Sequence, residues 1–308
     1  MWYNLLISGI LAIMVSSSNH SLPDFDSLWN YDKPAETERN FRELLPQAKD
    51  SGDSGYQAEL LSQIARSLGL QRRFAAADSV LDEVLKMLPQ AGKEARVRYL
   101  LERGRVRNSS GEPGKARPFF EEALEVSRKG APDNHAVDAA HMLAIVDSGQ
   151  AALDWNIKAL AMAENSSQPK ARKWLGSLYN NIGWTYFDMQ KYESALTLFQ
   201  KALAFRQEQG KVAPIRIAKW SVARAKRFLG QVDEALAVQR ELEKEWAQSG
   251  EEQDGYVFEE LAECLLIKND PNATNYFALA YKYLSQDVWL SENETGRLKR
   301  LKELGKVE

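Results

Sequence analysis

"YNNIGWTYFDMQKYESALTLFQKAL", Tyr179 to Leu203, decides how the rest of the chain is read. Tyr179, Ile182, Gly183 and Tyr186 fall at i, i+3, i+4 and i+7, which places them on one face of a helix. Ala195, Phe199 and Ala202 repeat that spacing at i, i+4 and i+7. The polar "DMQKY" between them is a short turn, so the two helices run antiparallel and touch. Gly183 inside a helix costs up to about 1 kcal/mol relative to alanine. Small residues at Gly183 and Ala195 let the backbones approach, and Tyr179, Tyr186 and Phe199 fill the space on either side.

The same plan recurs. Leu61, Ile64, Ala65 and Leu68 precede Ala77, Leu81 and Val84, with Pro89 expected to end that unit. Leu100 and Gly104 precede Ala116, Phe120 and Ala123. Ala136, Ala140 and Leu143 precede Ala152 and Ala159, and Ala223 precedes Ala235. Phe258, Leu261, Ala262 and Leu265 precede Ala273, Phe277 and Ala280. The marker alanines Ala77, Ala116, Ala152, Ala195, Ala235 and Ala273 lie 36 to 43 residues apart, within the period that marks solenoids.

These residues resemble the tetratricopeptide repeat, in which a large residue, a small residue and an aromatic in the first helix answer alanine, aromatic and alanine in the second. Tyr179, Ile182, Gly183, Tyr186, Ala195, Phe199 and Ala202 carry the resemblance most fully. The long period and "YNNIGWTY" are similar to the extended repeats of the kinesin light chain type. The resemblance spans about Gln57 to Gln286. It implies an all-α, right-handed α-solenoid of about six antiparallel helix pairs, and a binding function rather than a reaction.

The flanks fit an array. Residues 35–50 place Phe41 and Leu44 as a second helix does and read as an N-terminal half repeat. The array proper is expected over 51–289. Residues 290–308 carry Leu298, Leu301 and Leu304 on one face and Arg297, Lys299, Arg300 and Lys302 around it. A polar-backed terminal helix of this kind closes a repeat core; a basic amphipathic contact with membrane or partner is the alternative. Residues 21–34, "SLPDFDSLWNYDKP", read as a linker. Residues 1–20 hold an apolar run from Leu5 to Val15, too short for the about 20 residues of a bilayer span but suited to a signal peptide. The n-region has no Lys or Arg. That lack disagrees with a signal peptide, but the length of the run and the small residues after it make export, periplasmic or extracellular, the expectation. A retained anchor, giving a membrane-tethered or cytosolic regulatory adaptor, is the alternative.

Composition and motifs narrow the function. The chain has 308 residues, 44% hydrophobic and 27% charged, with a formal net charge of −3. That balance suits a folded helical protein and not a nucleic-acid binder. The lone Cys264 excludes an internal disulfide and a multi-cysteine zinc site, and it reads as a core residue. "SSGEPGKAR" lacks the glycine and the Ser/Thr that a phosphate loop needs, and it falls at a turn. His135 and His141 are six apart, off a common helical face, and Asp138 stands where it pairs with His141. No metal, no cofactor, no small-molecule substrate and no catalytic set is expected; an enzyme with an atypical site is the remote alternative. Asn-x-Ser/Thr triplets begin at Asn19, Asn108, Asn165, Asn272 and Asn293 and read as turn chemistry, with glycan acceptance in a secreted eukaryotic chain as the alternative.

Binding is expected on the first helices, which line the concave surface of such a solenoid. The candidate contacts around the opening stretch are Asn180, Asn181, Trp184 and Phe187. Equivalent places elsewhere hold Arg66, Arg105, His141, Trp220, Arg224 and Arg227. In the resembled repeats an asparagine at the place of Asn181 holds a peptide backbone. Gln63, Glu102, Asp138 and Ser221 stand there in other units, so no full asparagine ladder exists. Arginine forks and tryptophan anchors predict a protein or peptide partner, acidic in character. Salt bridges within the array, to Glu59, Glu102 or Glu193, are the competing use of the arginines.

Overall fold

The computed structural model describes residues 22–308. The residues read as a signal peptide or anchor, 1–20, lie outside them. Among the described residues all regular structure is helical, and no helix is long and apolar enough to cross a membrane. α1 (Pro34–Asp50) stands alone and is followed by six pairs. α2 (Ser54–Leu70) pairs with the first arm of α3 (Phe74–Ser109). Helix α3 breaks at Gly92, where φ is 81° and ψ is 179°. Its second arm, from 93, opens the next unit and pairs with α4 (Pro113–Arg128). The break falls three residues beyond Pro89, so Pro89 does not itself end the first unit. Then follow α5 (Asp133–Val146) with α6 (Gly149–Asn165), and α8 (Leu175–Asp188) with α9 (Tyr192–Gln209). α10 (Val212–Phe228) pairs with α11 (Val232–Ser249), and α12 (Gly255–Ile267) with α13 (Ala273–Leu284). The one-turn helix α7 (Pro169–Arg172) is inserted between the third and fourth units and accounts for the longest repeat spacing.

Each helix packs chiefly on those before and after it in sequence, as expected of a one-dimensional array. The ring position of the second helix is the centre of each unit. Phe41, Leu81, Phe120, Phe199 and Phe277 occupy it, all fully buried or nearly so. Gly183 faces Phe199 directly: a Cβ there would lie 2.6 Å from Phe199 Cε1. Gly104 meets Phe120 in the same way. Where the first helix carries Ala140 or Ala223 instead, the ring position holds Asn156 or Gln239, both buried. Neither amide atom of Gln239 has a hydrogen-bond partner.

In five units the turn within the pair contains one residue with positive φ, seven positions after the small residue of the first helix. These are Arg72, Gly111, Gln190, Gly230 and Asn269, with φ of 60°, 89°, 58°, 76° and 55°. Gly111 belongs to "SSGEPGKAR", so that stretch is a helix-pair turn.

The stretch read as a half repeat forms α1. Thr37 stands forty residues before Ala77, and it is fully buried in the alanine marker's place, with Phe41 after it. The C-terminal end is closed by α14 (Val288–Asn293) and α15 (Thr295–Leu304). Leu298 and Leu301 are buried, while the half-buried Arg297 and the exposed Arg300 pair with Glu259 and Glu263 of α12.

The stretch read as a linker packs instead against the array. Phe25 is buried and meets Phe41 and Tyr56 edge-on at 6.4 and 5.2 Å. Trp29 Nε1 donates to Gln63 Oε1 at 3.1 Å. Asp26 accepts from both terminal nitrogens of Arg98, at 3.0 and 2.9 Å. Aromatic and acidic residues close to the half repeat thus form a strap across the first-helix face.

Candidate functional site

The candidate residues lie on the first helices α2, the second arm of α3, α5, α8 and α10. Numbered from the small residue of each first helix, Arg66, Arg105, His141, Trp184 and Arg224 all stand one position after it. Gln63, Glu102, Asp138, Asn181, Ser221 and Glu260 stand two positions before it. The pairing between units follows a single geometric rule: the residue after the small one in a unit meets the residue two before it in the next. Arg66 Nη1 donates to Glu102 at 3.1 Å. Arg105 donates to Asp138 of the following unit and also, at 2.5 Å, to Glu102. Arg224 donates to Glu260 at 2.5 Å. Arg227, three residues on, meets the same carboxylate at 2.7 and 2.9 Å.

The four arginines are therefore bound into the array, as the competing reading allows for Glu102. Glu59 turns to Arg98, at 3.2 Å, and Glu193 forms no ion pair among the described residues. The basic stripe expected at Arg66, Arg105, Arg224 and Arg227 is largely neutralised: Arg66 and Arg105 are matched by Glu102 and Asp138, while Arg224 and Arg227 share the one carboxylate of Glu260. Glu102 and Glu260 are buried, and a buried carboxylate is stable only when paired. The arginines supply that pairing.

At His141 and Trp184 the rule has no arginine to apply to, and the facing positions Asn181 and Ser221 are neutral. His141 turns towards its own second helix, with Nδ1 3.2 Å from Asn156 Oδ1 and its ring 5.4 Å from Trp174. It is not a free groove contact, and Asp138 is taken by Arg105 rather than by His141. Trp184 packs against Phe187, Phe199 and Trp220 at 5.1, 4.8 and 5.7 Å. Phe187 continues to Tyr192 and Phe228, and Trp220 to Tyr256. Arg224 lies over the rings of Phe187, Trp220 and Phe228.

The structure thus brings Trp184, Phe187, Trp220, Arg224 and Arg227 together as one aromatic wall across the fourth to sixth units. Phe187 is buried and supports the wall from behind. Trp184 and Trp220 are half-buried and Phe228 is exposed. Phe228 was not foreseen: it ends its helix and lies outside the periodic core pattern. Beside the wall, Asn180 and Asn181 make only a 3.4 Å contact with each other, and Asn180 Oδ1 is buried without a partner. Arg66 and Arg105 form a separate group towards the N-terminus, where Arg66 also lies over Trp29 and Tyr31.

Among the described residues no group of three His, Cys, Asp or Glu side chains is placed to hold a metal ion. Burial pushes the Cys264 thiol up to about 12, which makes it a core residue rather than a nucleophile.

The family model described as tetratricopeptide repeat matches residues 134–208. Comparison with the curated proteins finds no match. Among solved structures, the apo form of RapI is 12% identical, with a TM-score of 0.72, and covers 92% of this chain and 80% of its own. The ATPase PH0952 of Pyrococcus horikoshii, which carries a tetratricopeptide repeat sensor, is 16% identical, with a TM-score of 0.67. The match covers 87% of this chain but only 41% of that protein. NprR in complex with its cognate peptide NprX is 16% identical, with a TM-score of 0.52, covering 90% of this chain and 81% of its own. At these identities the likeness is one of fold. Residues 134–208 match the tetratricopeptide-repeat model, and the described chain on both sides of them continues the same α-solenoid.

Proposed function

We propose that this protein is a non-enzymatic scaffold that binds a protein or peptide segment on its first-helix face, centred on the fourth and fifth units. The observation that carries the reading is the half-buried aromatic wall of Trp184 and Trp220 beside the unmatched amides of Asn180 and Asn181. An aromatic wall gives an extended segment apolar anchor area. Amide side chains with spare donors and acceptors suit its main chain. NprR, of the same fold, is solved with a peptide bound.

The acidic character expected of the partner loses its support at the matched arginines. The preference for acid is therefore weaker than the sequence implies, resting on the shared pairing of Arg224 and Arg227 with Glu260 and on exposed cations elsewhere. Export rests on residues 1–20 read as a signal peptide. A mature N-terminus near Ser18 supports it, and an intact Met1 in the mature protein overturns it.

The binding reading is tested by selecting displayed peptides on the full chain and measuring the selected sequences against variants. Trp184→Ala and Asn181→Ala are expected to weaken binding by about tenfold or more, the scale of an interface hot spot. Substitution of the exposed Lys201 on α9 is expected to leave it unchanged. Selected peptides that bind all three variants like the parent would place the site elsewhere.

A further inference from the structure

Beside the strap, the pairing of charges is incomplete. Arg66 is held by Glu102, and Arg98 by Asp26 with Glu59 and Glu94 nearby. Lys170 shares Asp26 at 2.9 Å. Lys173 and Lys211 have no carboxylate within 4 Å among the described residues, and both are exposed. They come from different parts of the chain, after α7 and at the start of α10. They meet on the lining of one cavity of about 590 Å³, to which the strap contributes Asp26, Trp29 and Tyr31.

The rest of that lining is suited to a compact planar ligand. Trp29 and Tyr31 are stacked on each other, 4.7 Å apart and 5° from parallel, and Trp174 lies next to Lys173. Asn134 contributes an Oδ1 that is buried without a donor. The volume lies in the range of about 300–1,000 Å³ that small-molecule sites occupy. The bond from Asp26 to Lys170 joins residues 144 apart in sequence, so the strap bounds this space on a side where an extended peptide would need an open path.

We propose that this cavity is a binding site for a small organic anion bearing a planar ring. The ring is received by the aromatic side chains of the strap and Trp174, and the acid group by Lys173 and Lys211. Aromatic faces give area at little entropic cost, and lysine ammonium groups act as point charges for carboxylate or phosphate. The site uses none of the residues of the aromatic wall, so its failure and that of the peptide reading are distinguishable.

The test is titration of the full chain, followed by calorimetry and tryptophan fluorescence, with four kinds of probe: indole-3-acetate, a nucleoside monophosphate, inorganic phosphate and neutral indole. At least one of the two ring-bearing acids is expected to saturate below millimolar concentration and to raise the melting temperature, and which one does so separates carboxylate from phosphate chemistry. Inorganic phosphate and indole are expected to bind about tenfold more weakly or worse, because each offers one half of the contacts. Lys173→Gln with Lys211→Gln is expected to weaken the ring acid by about tenfold or more and to leave the melting temperature of the free protein unchanged, since neither lysine is paired. Trp174→Ala is expected to weaken the ring acids without affecting phosphate. The proposal is overturned if neither ring acid saturates, if phosphate or indole alone binds as well, or if the double lysine variant binds like the parent.

Discussion

Gly183 and Phe199 show how closely a first helix can approach the ring of the second. In the sixth unit Ala262 and Phe277 hold the same two places, so the need for glycine comes from the spacing of this unit and not from the ring alone. The ring of Phe199 occupies the place a Cβ on Gly183 would need, at 2.6 and 2.7 Å from two of its carbons. Overpacking of this kind forces side chains off their rotamers and costs about 1–3 kcal/mol. The gain in helix propensity from Gly to Ala is up to about 1 kcal/mol and does not offset it. Gly183→Ala is therefore expected to lower stability by about 1–2 kcal/mol, measured by urea denaturation. Phe199→Leu in the same chain is expected to recover part of the loss, because Leu81 already faces Ala65 in the first unit. A stabilised Gly183→Ala chain would show that the helices separate freely at this point. This pairing was legible in the spacing of Gly183, Ala195 and Phe199. The polar occupants of the ring position, Asn156 and Gln239, were not, because a search for apolar periodicity scores an amide as a gap rather than as a buried residue.

Between helices, the deciding contacts are the arginine–carboxylate staples, and here the sequence is least informative. A pair such as Arg224 and Glu260 is 36 residues apart, and no local period distinguishes it from two solvated side chains. The helix pairs themselves were legible because their core residues repeat. The partners of the arginines depend on how one pair is set against the next. The strap was missed for a related reason: Asp26 and Trp29 have a polar, proline-marked context, and only tertiary contacts with Arg98 and Gln63 give them their place. The staples also separate structure from binding. Glu260 is fully buried with Arg224 and Arg227 both upon it. Removing both arginines leaves a buried charge without compensation, which costs about 3–5 kcal/mol. Arg224→Ala with Arg227→Ala is expected to lower stability by that order, and adding Glu260→Gln is expected to restore much of it. If the double arginine variant instead keeps its melting temperature and loses only peptide binding, the arginines belong to the ligand and not to the array.

Across the whole molecule, the strap and the first units share a cluster of charges that makes stability depend on pH. Burial pushes the Glu59 carboxyl up to about 7; Arg98 opposes the rise, and Glu94, Asp26 and Asp53 add to it. Burial would also raise Asp26, but hydrogen bonds and charge from Arg98 and Lys170 outweigh it and hold that carboxyl at about 2. The two acids on the same guanidinium therefore act with opposite sign. Asp26 is ionised in the fold above about 2 and contributes stability that is present above its ordinary value and lost as pH falls towards 2. Glu59 binds its proton more tightly in the folded than in the unfolded chain, where its value is 4.5. Its contribution is fully present below 4.5 and is lost as pH rises through 7. Glu59→Gln keeps a neutral side chain at every pH. The variant is expected to match the parent in stability near pH 4.5 and to exceed it above pH 7, by up to about 3 kcal/mol. Denaturation of both chains across that window measures the difference directly and removes every group they share. A gap that opens with rising pH assigns the drift to Glu59. Parallel curves would mean that Arg98 keeps Glu59 ionised in the fold, and that the strap is held by two carboxylates rather than one.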